Sequence, residues 1–495
     1  MRILFDPVKK YAETTPTRTA LGCVETGRRW SWAEFDAAAN RIAAWLVNKY
    51  GPKSQVRVAL LAKNHPNIAI LQFACIRAGA IMVPYNWRLA QAEIVELMQD
   101  ADPKVMFCDQ EFMFEALRDR LELLPSEALE TIGEEGALPP ADARQEWDQP
   151  STLLYTSGTS GRPKGVIVTE ENAFWGNTNF GLGSLLSYDS SFLCDMPMFH
   201  TAGLFAATRV PILFGGTVWI SKGFDPARTI ANIASPELKI THYFSVPQMA
   251  TTLWQHPDFT AEKFSNMKMY VTGGAPNSRA QIERFAKAGI RFSDGFGMTE
   301  TGSNFAMPVL DVDRLIEKAG SCGMPLMTVQ ARIVDEDGVD VAQGQVGELL
   351  IRGPSVTPGY WNQPEVTAKA FDNDWFKTGD AAYRDEDGFY YLVDRKKDMY
   401  ISGGENVYPA EVERIINELG DIVDVAVIGI PNERWGEVGR AFISLKQGSS
   451  LTEQDIYNHC LSRLAKFKVP ASIIITDQVP RTPTGKVQKH LLPRD

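Results

Sequence analysis

At 495 residues the chain exceeds what one ordinary hydrophobic core can organise, which implies two or three folding units. Apolar residues make up 44% and charged residues 22%, the balance of a globular enzyme and not of a disordered chain. The formal net charge of −11 argues against a general electrostatic role on nucleic acid or on an anionic membrane.

The acidic excess lies upstream of residue 396, so an anionic ligand would need local cations, and Arg395, Lys396, Lys397, Lys486 and Lys489 offer two groups of them. The six cysteines are scattered without a C-x-x-C pair, and the six histidines without H-E-x-x-H, which fits buried thiols in a reducing compartment better than disulfides or a zinc site. The opening MRILFDPVKKYAETT has no signal-peptide core. The two longest apolar stretches are broken by Arg77, and by Arg209 with Pro211, short of the roughly 20 residues that span a bilayer. The closing LLPRD is not a peroxisomal address. The expectation is a cytoplasmic protein with no integral membrane segment and no nucleic-acid partner.

In chain order, the helical pattern over 32–47 precedes a short apolar run over 58–62, the rhythm of β/α units that build a buried, largely parallel sheet. Residues 155–165 read YTSGTSGRPKG, then 166–168 read as a strand and Thr169-x-x-Asn172 as a helix start. Lys164 follows Pro163 and precedes Gly165, so the Walker pattern G-x-x-x-x-G-K-[ST] is absent. What remains is a glycine- and hydroxyl-rich turn that could wrap a phosphate or simply reverse the chain. The stretch DGFGMTETG over 294–302 approaches a dinucleotide fingerprint, but Glu300 stands where the third glycine belongs. Glu300 is open to two readings, a capping or solvated acid and a ligand for a hard cation such as Mg²⁺. Asp380 in WFKTGD reads either as a turn cap or as an acceptor for ribose hydroxyls. Lys486 in PRTPTGK reads either as a surface cation or as a charge aimed at a phosphate.

Five consecutive charges over 394–398 mark a surface segment and a domain boundary. Beyond it, Val412, Ile415, Ile416 and Leu419 share one helical face, with Pro409 in the first turn and Gly420 placed to close the helix in the left-handed conformation. Strands are expected over 423–430, 441–445 and 473–476, and a helix over 452–464 opened by Thr452-x-x-Asp455. This is a small α+β domain.

Taken in order, YTSGTSGRPKG, GGAP (273–276), DGFGMTE (294–300), WFKTGD (375–380), DRKKD (394–398), SGGENVYPAEVE (402–413) and PRTPTGK (480–486) closely resemble the adenylate-forming superfamily of acyl- and aryl-CoA synthetases, peptide-synthetase adenylation domains and firefly luciferase. The resemblance implies an α/β fold, with a large N-terminal domain (1–394) of β/α subdomains, a hinge (395–398) and a small mobile α+β lid (399–495). It implies an ATP- and Mg²⁺-dependent acid–CoA ligase that joins a carboxylic acid to AMP, then passes the acyl group to coenzyme A.

By the same resemblance Thr156, Ser157, Gly158, Thr159, Ser160, Gly161 and Lys164 wrap the pyrophosphate portion, Glu300 holds Mg²⁺ and Thr299 lies near the α-phosphate. Gly273, Gly274 and Ala275 border the adenine, with Asp294, Gly295 and Phe296 opposite. Asp380 takes the ribose hydroxyls, Arg395 supports ribose and phosphate, and Lys486 bridges carboxylate and α-phosphate. Lys397 marks the pivot, and Ser402, Gly403 and Gly404 serve the thiol channel. The segment MPMFHTAG over 196–203 matches the wall of the acyl pocket. Amino-acid-activating members carry an Asp where this chain has His200, so an α-amino acid is disfavoured and His200 reads as a gate or wall. Phe199, Leu204, Phe205, Val271, Phe296, Met298 and Phe305 are apolar enough for an alkyl chain or a ring.

The expected substrate is a hydrophobic acid, a medium- to long-chain fatty acid before an aryl acid. Ile401 and Gly403, where plant hydroxycinnamate ligases carry lysines, favour the bacterial pattern. Loading of a separate carrier protein, a luciferase-like oxygenase and a non-catalytic sensor are the competing readings, and a homodimer is compatible with all of them.

Overall fold

The computed structural model describes residues 5–118, 120–156, 163–274, 277, 279–335, 337–395, 400–407, 409–480 and 489–494. They form two compact units. One comprises Met1–Tyr85, Ala101–Leu154 and Val166–Asp394, the other Asn86–Asp100, Tyr155–Gly165 and Arg395–Asp495.

The larger unit is built on β/α alternation, as the apolar runs imply. In a nine-stranded sheet Thr19–Cys23, Thr217–Ile220, Ser191–Cys194, His242–Ser245, Met269–Thr272 and Phe292–Met298 lie side by side and parallel. Antiparallel strands flank them, Arg29–Ser31 on one side and Gly302–Ala306 with Met324–Pro325 on the other. A six-stranded sheet carries Arg57–Leu61 between Ile81–Pro84 and Val105–Cys108, all parallel, and its far end is formed by Pro150–Thr156 and Lys164–Thr169. Strands buried on both faces must be apolar throughout, and Ile81–Pro84, Val105–Cys108 and Met269–Thr272 are buried at every position. A third sheet of five strands includes Gly347–Arg352 and Trp375–Arg384.

Helix ends follow their local chemistry. Trp32–Tyr50 opens on a capping box between Ser31 and Glu34, and Glu170–Gly183 on one between Thr169 and Asn172. The two arginines that break the apolar stretches are buried in the protein. Arg77 pairs with Asp6 and Asp36, at 3.1 and 2.7 Å, and Arg209 with Glu170. All six cysteines are free and buried. Among the described residues no helix is long and apolar enough to cross a membrane.

In the second unit a five-stranded sheet contains Tyr400–Ser402, Glu405–Val407, Ile422–Asn432, Gly436–Leu445 and Ser472–Ile475. The helix Pro409–Ile416 packs Val412, Ile415 and Ile416 into its core, with Leu419 alongside. That helix stops at Ile416, and Gly420 does not adopt a left-handed backbone, so the expected glycine closure is absent. Turn hydrogen bonds from the Glu418 and Leu419 amides to Ile415 and Ile416 end it first. The helix Glu453–Leu461 begins on the Thr452–Asp455 capping box and ends three residues before the expected 464.

Candidate active site

Parallel strands place the segments that follow them on one edge, and in open α/β sheets that carboxyl-terminal edge is where ligands are held. Ser191–Cys194, Met269–Thr272 and the parallel part of Phe292–Met298 deliver the 195–203 segment, the Gly273–Gly274 loop and the 295–300 strand end to the same edge. Thr272 is registered with Asp294, so Gly273 lies against Gly295, and a Cβ at Gly273 would sit 3.5 Å from the Gly295 carbonyl oxygen and 3.0 Å from the Phe244 ring. Gly274 has φ +86°, a conformation that glycine adopts without strain.

Asp294 is buried and fully engaged in holding this loop. Its carboxylate accepts hydrogen bonds from the Thr272 hydroxyl at 2.7 Å, the Asn277 amide N–H at 3.0 Å and the Asn277 side-chain amide. Burial pushes its carboxyl above the ordinary range despite these donors. The residue therefore shapes the Gly273 loop from below.

Phe292–Met298 and Gly302–Ala306 form a hairpin with Thr299, Glu300 and Thr301 in its turn. The turn is pinned by the Thr301 hydroxyl donating to Asn304 Oδ1 at 2.5 Å and by Asn304 Nδ2 donating to the Thr301 carbonyl at 2.9 Å. Gly302, at φ +66°, lies against Gly176 of the helix Glu170–Gly183. The Glu300 carboxylate is half-buried, and its Oε1 accepts the Tyr360 phenol at 3.0 Å. The Glu300 carbonyl accepts the Thr357 amide at 2.7 Å. Both the backbone and the side chain of this acid are therefore oriented by the 357–360 segment, which itself bridges to Val166.

Asp380 lies on a bulge of the strand Trp375–Arg384. Gly379 takes φ +73°, the Thr378 hydroxyl donates to the Leu349 carbonyl at 2.7 Å, and the Asp380 amide donates to that hydroxyl at 3.1 Å. The carboxylate is buried, and Asp380 and Asp294 both act on the buried Cys322 thiol, which burial chiefly drives up to about 12.

In the 195–203 segment Phe199 is buried and His200 half-buried, their rings 4.6 Å apart. The wide helical run Ala202–Arg209 follows, and Leu204, Phe205 and Val271 share one core. Met298 is half-buried at the strand end. Phe305 belongs to a different core, packed with Phe296 and Tyr390 against Val329, Ile333 and Leu349.

In the second unit Thr156 ends the strand Pro150–Thr156 and Lys164 begins Lys164–Thr169, both half-buried. Tyr155 donates to Asp100 at 2.5 Å. Ser402 is buried, and Gly403 and Gly404 form the two-residue turn between Tyr400–Ser402 and Glu405–Val407, with φ of +60° and +84°. That turn type demands glycine-like residues. A Cβ at Gly403 would also meet the Trp435 ring at 2.7 Å. The backbone of Arg395 ends the strand Tyr390–Arg395, while its side chain lies outside the described residues. Ser157, Gly158, Thr159, Ser160, Gly161, Ala275, Lys397 and Lys486 also lie outside them.

Sequence reasoning missed Tyr360, Thr272, Asn277 and Asn64, whose polar groups orient the expected site residues from elsewhere in the chain. Their identities carried one signal, since buried polar side chains need partners.

A family model of AMP-binding enzymes matches residues 8–361, and a model of the C-terminal domain of AMP-binding enzymes matches residues 411–486. A feruloyl-CoA synthase of Amycolatopsis sp is 36% identical over 486 residues, covering 98% of this chain and 96% of that protein. A long-chain-fatty-acid–CoA ligase of Mycobacterium tuberculosis is 33% identical over 500 residues, covering 98% and 97%. The solved structure of a double mutant of o-succinylbenzoate CoA synthetase from Bacillus subtilis, bound to a product analogue, matches with a TM-score of 0.89 at 28% identity, covering 98% of this chain and 97% of that one.

Proposed function

This chain belongs to the AMP-binding enzyme family, and from that premise we propose that it is an ATP-dependent acid–CoA ligase for a hydrophobic carboxylic acid. The observation that carries the proposal is the meeting, on one sheet edge, of the Gly273 loop, the Tyr360-held Glu300 and the Phe199–His200 segment.

A carboxylate is a poor acyl donor because its oxygen leaves badly. In the first half-reaction a carboxylate oxygen attacks the α-phosphorus of ATP, forming a mixed anhydride and expelling pyrophosphate. In the second, a thiolate attacks the acyl carbon, and AMP leaves with the bonding electrons as a thioester forms. Negative charge gathers around the α-phosphorus in the first step, so fixed donors and cations supply the stabilisation.

In this reading Thr156, Lys164 and the intervening 157–161 hold the pyrophosphate portion, and Thr299 lies at the α-phosphate. Gly273, Gly274 and Ala275 with Gly295 and Phe296 receive the adenine, with Asp294 shaping the loop. Asp380 and Arg395 hold the ribose, and Lys486 bridges acid and phosphate. Among the described residues no cluster of three acids, histidines or cysteines could hold a metal by itself. A carboxylate fixed by a phenol suits Mg²⁺, which shares one or two carboxylates with phosphate oxygens and would neutralise charge on the leaving pyrophosphate. We place domains at 1–394 and 399–495 with a hinge over 395–398. Movement about Lys397 would exchange Lys486 for Ser402, Gly403 and Gly404 between the two half-reactions.

Two observations bear on the acid. His200 stands where a carboxylate would pair an amino group, and Phe199, Phe205 and Met298 offer apolar walls. An aryl acid takes first place, because the feruloyl and succinylbenzoate relatives are named for aromatic acids; a medium- to long-chain fatty acid is the second reading, supported by the fatty-acid relative. The test is pyrophosphate release across fatty, phenylpropanoid and benzoic acids, with and without coenzyme A. Acid-dependent release with thioester formation is expected. Release without thioester would turn the reading to carrier loading, and nucleotide binding without release would overturn it.

A further inference from the structure

Asn64 follows the carboxyl end of the parallel strand Arg57–Leu61, in the six-stranded sheet, and precedes His65, the N-cap of the helix Pro66–Ala78. It is buried, and both ends of its side-chain amide are spent on one distant segment. Nδ2 donates to the Met196 carbonyl at 2.8 Å, and Oδ1 accepts the Met198 N–H at 2.9 Å. A side-chain amide that satisfies a donor and an acceptor two residues apart works as a template, because both bonds hold only when the turn keeps one shape. A second constraint acts on the same turn. A Cβ at Gly203 would overlap the carbonyl oxygens of Met196 and Pro197, and the His200 amide donates to the Pro197 carbonyl at 3.2 Å. Phe199 and His200 leave the turn between these two constraints.

We propose that Asn64 is a positioning residue that sets acid selectivity, by holding the Met196–Met198 backbone so that Phe199 and His200 stand at a fixed depth in the acid pocket. This rests on the reading of 196–203 as a pocket wall. It ties that wall, carried by the nine-stranded sheet, to the end of a strand in the six-stranded sheet. With the amide removed, the Met198 N–H loses its buried acceptor and the Met196 carbonyl is left with the weak Cys194 thiol donor at 3.6 Å, so the turn relaxes toward whatever satisfies them. The Phe199 and His200 rings then shift, while the Gly273 loop and Glu300, which have other supports, do not.

The test compares Asn64→Ala, Asn64→Asp and Phe199→Ala with the unaltered enzyme. It measures KM for a short, a matched and a long hydrophobic acid, KM for ATP, kcat and thermal stability. Asn64→Asp keeps the shape and the bond from the Met198 N–H but sets a carboxylate oxygen against the Met196 carbonyl, so it remains informative if Asn64→Ala does not fold. Expected are a roughly tenfold rise in KM for the matched acid, a changed order of preference among the three, and an ATP KM within about twofold. An unchanged acid profile in the folded Asn64 variants, with Phe199→Ala altering it, would refute the role of Asn64. An unchanged profile in Phe199→Ala as well would refute the pocket assignment beneath it. Equal rises in acid and ATP KM would mark Asn64 as a general structural residue and overturn the proposal.

Discussion

Glu300 shows how one carboxylate acquires a defined direction. Its carbonyl is held by the Thr357 amide and its Oε1 by the Tyr360 phenol, so the hairpin turn and the side chain are fixed by the same segment. A hydrogen bond to a charged group contributes about 1.5–3 kcal/mol, and 1.4 kcal/mol corresponds to about tenfold in rate. Tyr360→Phe should therefore slow acyl-AMP formation by roughly tenfold or more, and raise the Mg²⁺ concentration needed for half-maximal pyrophosphate release. Thioester formation from supplied acyl-AMP should change little, and an equal loss in both steps would remove Tyr360 from this role. Asp294 is more deeply buried, and its carboxylate accepts from Thr272 and Asn277, which fixes the Gly273 loop beside it.

At the scale of elements, helix Gln91–Ala101 shows what binds an isolated segment to a domain that lies far along the chain. Glu93 accepts the Ala90 and Ala465 amides at 2.9 and 2.8 Å, and Lys468 donates to Glu93 and Glu411 at 2.8 and 2.7 Å. All three charged groups are buried, and opposing carboxylates hold the Lys468 ammonium well above its ordinary range against the cost of burial. Breaking such a cluster by removing one member costs about 3–5 kcal/mol, because the remaining charges lose their compensation. Lys468→Met should lower the melting temperature and speed hydrogen exchange at the Ala90 and Ala465 amides. Adding Glu93→Gln and Glu411→Gln should recover much of the loss; a triple variant as unstable as the single one would show that packing, not charge, is responsible. The Gly403–Gly404 turn carries a related lesson, since its left-handed backbone and the Trp435 ring account for both glycines before any ligand is considered.

For the molecule as a whole, two chemically different steps are proposed to share the strand-edge residues while Lys486 serves the first alone, and their separation is the sharpest test. Lys486→Ala should abolish acyl-AMP formation yet still convert supplied acyl-AMP to thioester, as followed by AMP release; loss of both steps together would sink the assignment. The sequence by itself determined the local architecture, because capping boxes such as Thr169–Asn172 and Thr452–Asp455, and the apolar face of Val412, Ile415 and Ile416, are interactions between residues three or four apart. It also determined the family, through motifs whose order along the chain can be read without any fold. It could not determine that Gly420 fails to close its helix, since turn hydrogen bonds from Glu418 and Leu419 end the helix earlier. Only the tertiary structure decided who holds the site residues: Tyr360 lies 60 positions from Glu300, Asn64 lies 134 from Met198, and Lys468 lies 375 from Glu93. Such pairs depend on strand order, crossover direction and register, which bring distant polar groups together out of water, where each must find a partner.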